Sequence, residues 1–450
     1  MYTSSLAEFV SKLKFEDLPE RVVEETNWAY LDWLGSALAG STSEPGKIMH
    51  ELVVHFGGNP QAALLSDGSK NSVLNAALVN GAISHVVELD DVHKGGIIHA
   101  AAGVIPAALA AAEAQGASGS QLITAIVAGY EVAIRIAEAI TPSHYKIWHT
   151  TGTCCTFGAA AAVGKILGLN KEEMINALGS AGTQASGLWE FITDSAMSKH
   201  LHPGKAAFNG ALAAYSAQKG FTAAQKILEG DRGFFAATAP EVDYSKLTDG
   251  LGDKTSYKIS ENSYKFHSSC RHTHATLDAV INLRETVQFA PEDIANIEVN
   301  TYQVSLDITE NYHPTTIYGA KFSLPFCASL GAVKGSAGLD DFTEDNLNDS
   351  IIRNMMTKVK LVVDPEIDKL YPGKWPVRVE ISLNNGEKYT KIGLYPKGDP
   401  ENPFTPAEFR EKFRQLASLR LQSDETQRLL DSIEKMEQIT DVTDLIPSFD

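Results

Sequence analysis

From Ser4 to about Leu228 the chain repeats one pattern: Ala-rich runs with apolar residues at helical spacing, such as VIPAALAAAEAQG, QLITAIVAGYEVAIRIAEAI and CTFGAAAAVGKILG, separated by Gly, Ser or Pro. Apolar positions recurring every three or four residues specify amphipathic helices, and side chains as small as Ala let helices approach closely. The frequent Gly–Ala pairs therefore read as packing devices rather than ligand loops. A large domain of helix packed on helix is the expectation.

Past Ser263 the pattern changes. IANIEVNTYQV and WPVRVEISLNNGEKYT alternate apolar and polar residues with the β-branched content of half-buried strands, and Asn385-Gly386 reads as a hairpin turn. Helical segments, GAKFSLPFCASLGAVKG and TEDNLNDSIIRNMMTKV, lie between them, so this portion reads as a smaller α+β unit. GDPENPFTPAEF then reads as a Pro-rich linker before a helical tail that packs back on the first domain. The chain's 450 residues exceed what one hydrophobic core usually serves. The expected division is a helical part over 1–262, an α+β part over 263–397 and a helical C-terminal part over 398–450.

A formal charge of −18 repels phosphate backbones and anionic lipid, which argues against nucleic acid or a membrane surface as partner. An acidic protein that takes an anionic substrate needs a local cluster of cations. Cys154, Cys155, Cys270 and Cys327 form no CxxC pair, which suits neither a disulfide framework nor a thiolate zinc site and fits a reducing cytoplasm. The first twenty residues lack a basic segment followed by an apolar run, and no uninterrupted apolar stretch reaches about 18 residues, so neither export nor membrane spanning is expected.

Four segments concentrate chemistry. HVVELDDVHKGGIIHAAAG carries Glu88, Asp90, Asp91, His93, Lys94 and His99, where a carboxylate can fix a histidine tautomer and tune its basicity; His85 on the preceding turn reads as structural. HYKIWHTTGTCCTFG puts Tyr145, Lys146, His149 and Thr150 at a helix start, where unpaired N–H groups favour an anion. MSKHLHPGKAAFNGALAA surrounds a Pro-Gly turn with Lys199, His200, His202 and Lys205, a local cation cluster. YKFHSSCRHTHATLDAV carries Lys265, His267, Cys270, Arg271, His272 and His274, in which Arg can grip a carboxylate while a neighbouring His moves a proton. Metal ligation by His267, His272 and His274 competes with that reading, without HExxH or EF-hand spacing to support it. Cys270 beside Arg271 is a weaker candidate nucleophile. No GxSxG elbow, Walker A sequence or Rossmann fingerprint occurs, which leaves acid–base chemistry by side chains.

In this order, ELDDVH followed by His99, HYKIWHTTGT, SKHLHPGKAA and SCRHTHATLDA, with AKFSLPFCASL further on, resemble the MmgE/PrpD family over nearly the whole chain. The resemblance implies a mainly α fold: a large all-helical domain built from both chain ends, a smaller inserted α+β lid domain, and a homodimer. It implies activity of the 2-methylcitrate dehydratase, cis-aconitate decarboxylase or iminodisuccinate epimerase kind. All of these move a proton at carbon next to a carboxylate without metal or organic cofactor. Carried over by residue, it places His99, Lys199, His274 and Asp91 in the catalytic centre. Arg271, His272, His149, Tyr145, Lys205 and Glu88 become candidates for substrate binding or support. Dehydratase- and decarboxylase-like members tend to show DxxDTW where Val92 and His93 stand here, and the HTH ending looks more like the epimerase-related branch. The leading expectation is a cofactor-independent lyase on a small di- or tricarboxylic acid, with an epimerase of a small dicarboxylate as close competitor. A metal-dependent hydrolase and a non-catalytic helical dimer are the readings from other classes.

Overall fold

The computed structural model describes residues 1–194 and 196–449. The fold is mainly α, with a small region of mixed α and β structure. The chain forms two compact units: Met1–Val86, Asp90–Asn262 and the segment from Thr405 onward make the first, and Val87–Leu89 with Ser263–Phe404 make the second.

The first unit is built on α1 (Glu20–Ser41), α2 (Val73–Ser84), α3 (Ala100–Gln115), α4 (Gly119–Ile140), α5 (Thr150–Ile166), α6 (Lys171–Gly182) and α7 (Ser198–Gln218). Helix α5 is its centre: every residue from Thr150 to Gly164 is buried, and α3, α4, α6 and α7 pack around it. A helix enclosed on all sides needs small side chains, which TTGTCCTFGAAAAVG provides. A Cβ added to Gly158 would lie 2.7 Å from the Gly129 carbonyl oxygen of α4, so these two helices meet backbone to backbone.

Helix α7 departs from the turn expected at Pro203-Gly204 and runs through both residues. Pro203 falls in its second turn, where the missing N–H removes only the bond that the Lys199 carbonyl would accept. Gly204 then admits α2, because a Cβ on Gly81 would stand 2.8 Å from the Gly204 Cα.

The second unit contains α8 (His274–Val287), β1 (Ile294–Thr301), α9 (Leu324–Lys334), β2 (Val359–Val363), β3 (Val377–Leu383) and β4 (Lys388–Gly393). The sheet order is β2-β1-β3-β4, with β1 parallel to β2 and antiparallel to β3. Val299 pairs with Leu361 on one side and Val379 on the other. Val377, Val379, Ile381 and Leu383 alternate inward and meet Val280, Leu283, Leu324 and Ala328 of α8 and α9 in one core. The hairpin between β3 and β4 turns through Asn385-Gly386, with Gly386 at φ 92°. The outer strand β4 carries Lys388 and Lys391, charges that discourage pairing with another sheet edge.

The chain then adds α10 (Pro406–Ala417) and α11 (Ser423–Ile433) to the first unit. Thr405 and Glu408 cap α10 reciprocally, the Glu408 carboxylate accepting from the Thr405 N–H at 2.7 Å. Trp28 of α1 stacks on Phe409 at 5.0 Å, and Lys412 reaches the buried Asp32 carboxylate at 2.5 Å. No helix among the described residues is long and apolar enough to cross a membrane.

Candidate active site

In the first unit, the starts of three helices converge on one group of rings. His99 is the N-cap residue of α3 and His149 that of α5, and neither ring is used for capping. Lys199 and His202 belong to the first turns of α7, and His85 ends α2. Ring centroids are 4.6 Å apart for His85 and His99, 5.7 Å for His85 and His149, and 5.3 Å for His149 and His202. Helix N-termini present unpaired N–H groups and partial positive charge, so the cluster favours an anion before any lysine is counted.

The loop from His85 to His99 is pinned by backbone bonds. His93 and Ile98 bridge antiparallel, the Thr150 hydroxyl donates to the Ile97 carbonyl, and the His99 N–H donates to Thr151 Oγ1 at 3.1 Å. Ile97 is held at φ 46°, a left-handed conformation that a β-branched residue adopts only under constraint. The result fixes His99. Its Nδ1 lies 2.6 Å from the Asp91 carbonyl oxygen, which can only accept, so Nδ1 carries the proton and the neutral ring keeps its lone pair on Nε2.

The Asp91 carboxylate faces the other way. It accepts from the Ala101 N–H at 3.1 Å, capping α3, and from Tyr130 Oη and Asn262 Nδ2, each at 2.7 Å. Burial pushes its carboxyl up to about 7, with Asp90 and Asp32 adding to the rise and the Tyr130 and Asn262 bonds opposing it. Beside it, the buried Asp90 places Oδ2 2.7 Å from His85 Nδ1 and 3.3 Å from His99 Nδ1.

His149 and His202 share a hydrogen bond of 3.0 Å between their Nδ1 atoms, so one donates and the other accepts. Burial holds His149 well below the ordinary imidazole range, and the charges of His202, His85, Lys199 and His99 lower it further. Burial likewise brings His202 down to about 4. Lys199 is buried, and Lys205, pushed down by burial, donates to Ser186 Oγ. Tyr145 is half-buried, its ring edge-on to Trp189 at 4.8 Å, and Trp189 in turn meets the His149 ring at 5.0 Å.

In the second unit, the residues around His274 are occupied by one another. A guanidinium only donates, so the 3.0 Å contact from Arg271 Nη1 makes His274 Nδ1 an acceptor, and Nε2–H points to the Ser269 carbonyl at 3.2 Å. Burial and then the Arg271 charge keep His274 neutral, well below its usual range. Arg271 also donates to the Lys397 carbonyl at 3.2 Å and forms a buried ion pair with Asp399. Glu88, at φ 58°, pairs with Lys265 at 2.9 Å, both buried. His272 lies flat on Trp375 at 4.4 Å and hydrogen-bonds Tyr302 Oη at 2.7 Å.

Among the described residues, two groups of side chains offer donor atoms within 4.8 Å of one another and could hold a cation: His85, Asp90 and His99, and His93, Glu138 and Glu261. In the first, the hydrogen-bond geometry already accounts for both Nδ1 atoms. In the second, the Lys258 ammonium supplies the positive charge, 3.0 Å from Glu138 and 3.1 Å from Glu261. His267, His272 and His274 form no such group among the described residues, and His267 is paired with Asp278 at 2.9 Å.

The structure thus brings His99, His149, Lys199 and Lys205 into the neighbourhood of one ring cluster, and places Arg271, His272, His274 and Glu88 in the second unit. Sequence reasoning took His85 as structural, and named Asp90 and His202 in their segments without giving either a role in the site. The available signal was the HxxxxDD spacing, which sets a ring and two carboxylates at the exit of one helix.

Comparison with known proteins finds family matches over most of the chain. Residues 4–246 match the MmgE/PrpD N-terminal domain and residues 267–438 the MmgE/PrpD C-terminal domain. The chain is 27% identical over 470 residues to the cis-aconitate decarboxylase-like protein oryM of Aspergillus oryzae, covering 99% of this chain and 96% of the relative. It is 28% identical over 477 residues to a cis-aconitate decarboxylase of Aspergillus terreus, covering 99% and 95%. The human cis-aconitate decarboxylase is 26% identical over 463 residues, covering 98% and 92%.

Proposed function

The chain belongs to the MmgE/PrpD family, and from that premise we propose that it is a lyase that moves a proton at carbon next to a carboxylate of a small di- or tricarboxylic acid, with cis-aconitate the first candidate. The observation that carries the reading is the His99 ring. Its proton is fixed on Nδ1 by the Asp91 carbonyl, which makes Nε2 the basic nitrogen of the ring, and the starts of α3, α5 and α7 surround the ring cluster to which it belongs.

In this reading Lys199, with His149, Tyr145 and Lys205 around it, holds carboxylate oxygens. Low water content strengthens each of these contacts. His99 first takes a proton from water at Nε2 and then delivers it to the substrate double bond as a carboxylate leaves as carbon dioxide, the electron pair of the broken C–C bond forming the new double bond. Asp91 sets the tautomer of His99 through its carbonyl and the place of α3 through its carboxylate. His274 has both ring nitrogens engaged, so its part within the second unit is to orient Arg271. The substrate preference of the curated relatives, cis-aconitate decarboxylases by name, supports decarboxylation ahead of dehydration.

The chain is further proposed to act as a pair with a second copy. Support comes from α7, where Leu201, Phe208, Leu212 and Tyr215 recur at intervals of seven, four and three residues on a face that leaves Leu201 40% and Leu212 37% exposed.

The test is mass spectrometry of cis-aconitate, 2-methylcitrate, citrate and iminodisuccinate incubated with the protein in heavy water, with Lys199→Ala as control. Release of carbon dioxide from cis-aconitate that depends on Lys199 is the expected result. Deuterium entry with the carbon skeleton intact moves the protein to the epimerases, and turnover of none of the four acids removes the carboxylate reading.

A further inference from the structure

We propose that Asp90 is the positioning carboxylate of the ring cluster, serving His99 and His85 together, and that His85 is a member of the site rather than a structural histidine. The assignment rests on the reading of His99 as the proton-carrying ring.

Geometry supplies the case. Asp90 is fully buried at the exit of α2, and one oxygen, Oδ2, meets two ring nitrogens, His85 Nδ1 at 2.7 Å and His99 Nδ1 at 3.3 Å. The His99 Nδ1–H is therefore shared between a near carbonyl, Asp91 O at 2.6 Å, and a more distant carboxylate. The carbonyl fixes the tautomer, which a neutral dipole can do. What a carboxylate adds is support for the protonated ring: when Nε2 takes a proton, the positive charge develops 3.3 Å from Asp90 Oδ2. A carboxylate behind a catalytic imidazole acts in this way without itself accepting the proton. Carbon then receives the proton from Nε2, the N–H bond breaking as the C–H bond forms, and Asp90 remains ionised throughout.

His85 is the second ring on the same oxygen. With Nδ1 on Asp90, its Nε2 finds no hydrogen-bond partner although the side chain is completely buried. A buried ring nitrogen left unpaired costs about 1–3 kcal/mol, and such groups mark places where a bound polar atom completes the shell. The His85 ring lies between those of His99 and His149, at 4.6 Å and 5.7 Å. It also competes for Asp90. The more of the Asp90 charge His85 takes, the less remains for His99, so the pair tunes His99 in opposite directions.

The charged and titratable groups bearing on His99 and Asp90 are Asp91 from the same loop, Cys155 and His149 from α5 and its cap, and Lys199 from α7. Asp90 and Asp91 disfavour negative charge on each other, while a charge on His149 disfavours a proton on His99.

The experiment is a ¹⁵N NMR titration of the histidine rings in the full-length protein, with Asp90→Asn and His85→Phe beside the parent, accompanied by the pH profile of kcat/KM on the substrate found above. Asp90→Asn should lower the His99 pKa by about one unit and reduce kcat by about 10- to 100-fold, moving the His99 limb of the profile by the same amount. His85→Phe should move the His99 pKa upward, because His85 no longer competes for Asp90 Oδ2. An unmoved His99 in both variants overturns the proposal, as does stoichiometric metal on the purified protein whose removal shifts both rings. The titration needs no substrate, so a correct NMR response without turnover of any acid keeps the Asp90 assignment and sinks only the lyase reading. If Asp90→Asn does not fold, the upward shift in His85→Phe decides the matter alone.

Discussion

Asp91 shows how one residue divides its work. Its carbonyl orders His99, and its carboxylate caps α3 while sitting between Tyr130 and Asn262. Raised from 3.8 to about 7, chiefly by burial, the carboxyl keeps its proton in the folded state over a range where the unfolded chain has lost it. Folded protein then binds more protons than unfolded, so this group's contribution to stability is fully present below about pH 4 and is lost as pH rises through about 7. His149 and His202, held low, act with the opposite sign: their contribution is lost as pH falls below 6.5. Comparing the parent with Asp91→Asn isolates the carboxyl. The stability advantage of the parent should be largest near pH 4 and shrink by a few kcal/mol toward pH 8, read from urea unfolding at each pH. A difference that is flat or grows with pH would show that Asp91 is ionised in the folded protein. The residue scale also shows where sequence reading stops. His99 and His149 were legible because each stands in a chemically dense segment immediately before an Ala-rich helix. Arg271 and Glu88 read as substrate grips, yet their partners Asp399 and Lys265 lie 128 and 177 positions away, and nothing in a linear sequence pairs them.

Among elements, α5 is the most constrained, because it is buried from Thr150 to Gly164 and is preceded by His149 as its N-cap. It meets α4 backbone to backbone at Gly129 and Gly158. A methyl group on Gly158 would meet the Gly129 carbonyl and the Ala133 Cβ, each at 2.7 Å, and a backbone atom cannot turn aside as a flexible side chain can. Gly158→Ala should destabilise the protein by about 1–3 kcal/mol despite the better helix propensity of Ala. It should also reduce activity, because α5 carries the His149 ring at its first turn. Chemical denaturation combined with the cis-aconitate assay checks both; an unchanged or raised midpoint would mean the two helices can part without loss. Helix α7 offers the complementary case of an exposed face. Leu212→Glu places a charge in the proposed contact between two copies and should give a monomer by light scattering, while a monomeric parent would remove the pairing proposal. The Ala-rich helices were the easiest feature of the sequence to recognise, since their periodicity survives without knowledge of neighbours. The extent of α7 was not, because Pro203-Gly204 has the local chemistry of a turn and only the approach of α2 to Gly204 shows why a helix continues there.

At the scale of the whole molecule, charge sets a condition that no single residue reveals. The chain bears a formal charge of −18, and the proposed substrate is itself an anion, so long-range repulsion opposes its approach while the helix N-termini and Lys199 attract it at short range. Salt separates the two effects. Between about 0.01 M and 0.15 M the screening length falls from about 30 Å to about 8 Å, which removes most of the distant repulsion and leaves buried contacts of a few ångströms largely intact. The kcat/KM for a tricarboxylate should therefore rise, by roughly twofold, over that range. For a protein whose overall field steers its substrate inward, the same experiment gives a fall. The measurement is an initial-rate series at fixed pH, with a chloride salt as the only variable. A fall would mean that the Lys199 neighbourhood dominates the field well beyond the protein surface, and that the net charge is carried on faces too distant to matter.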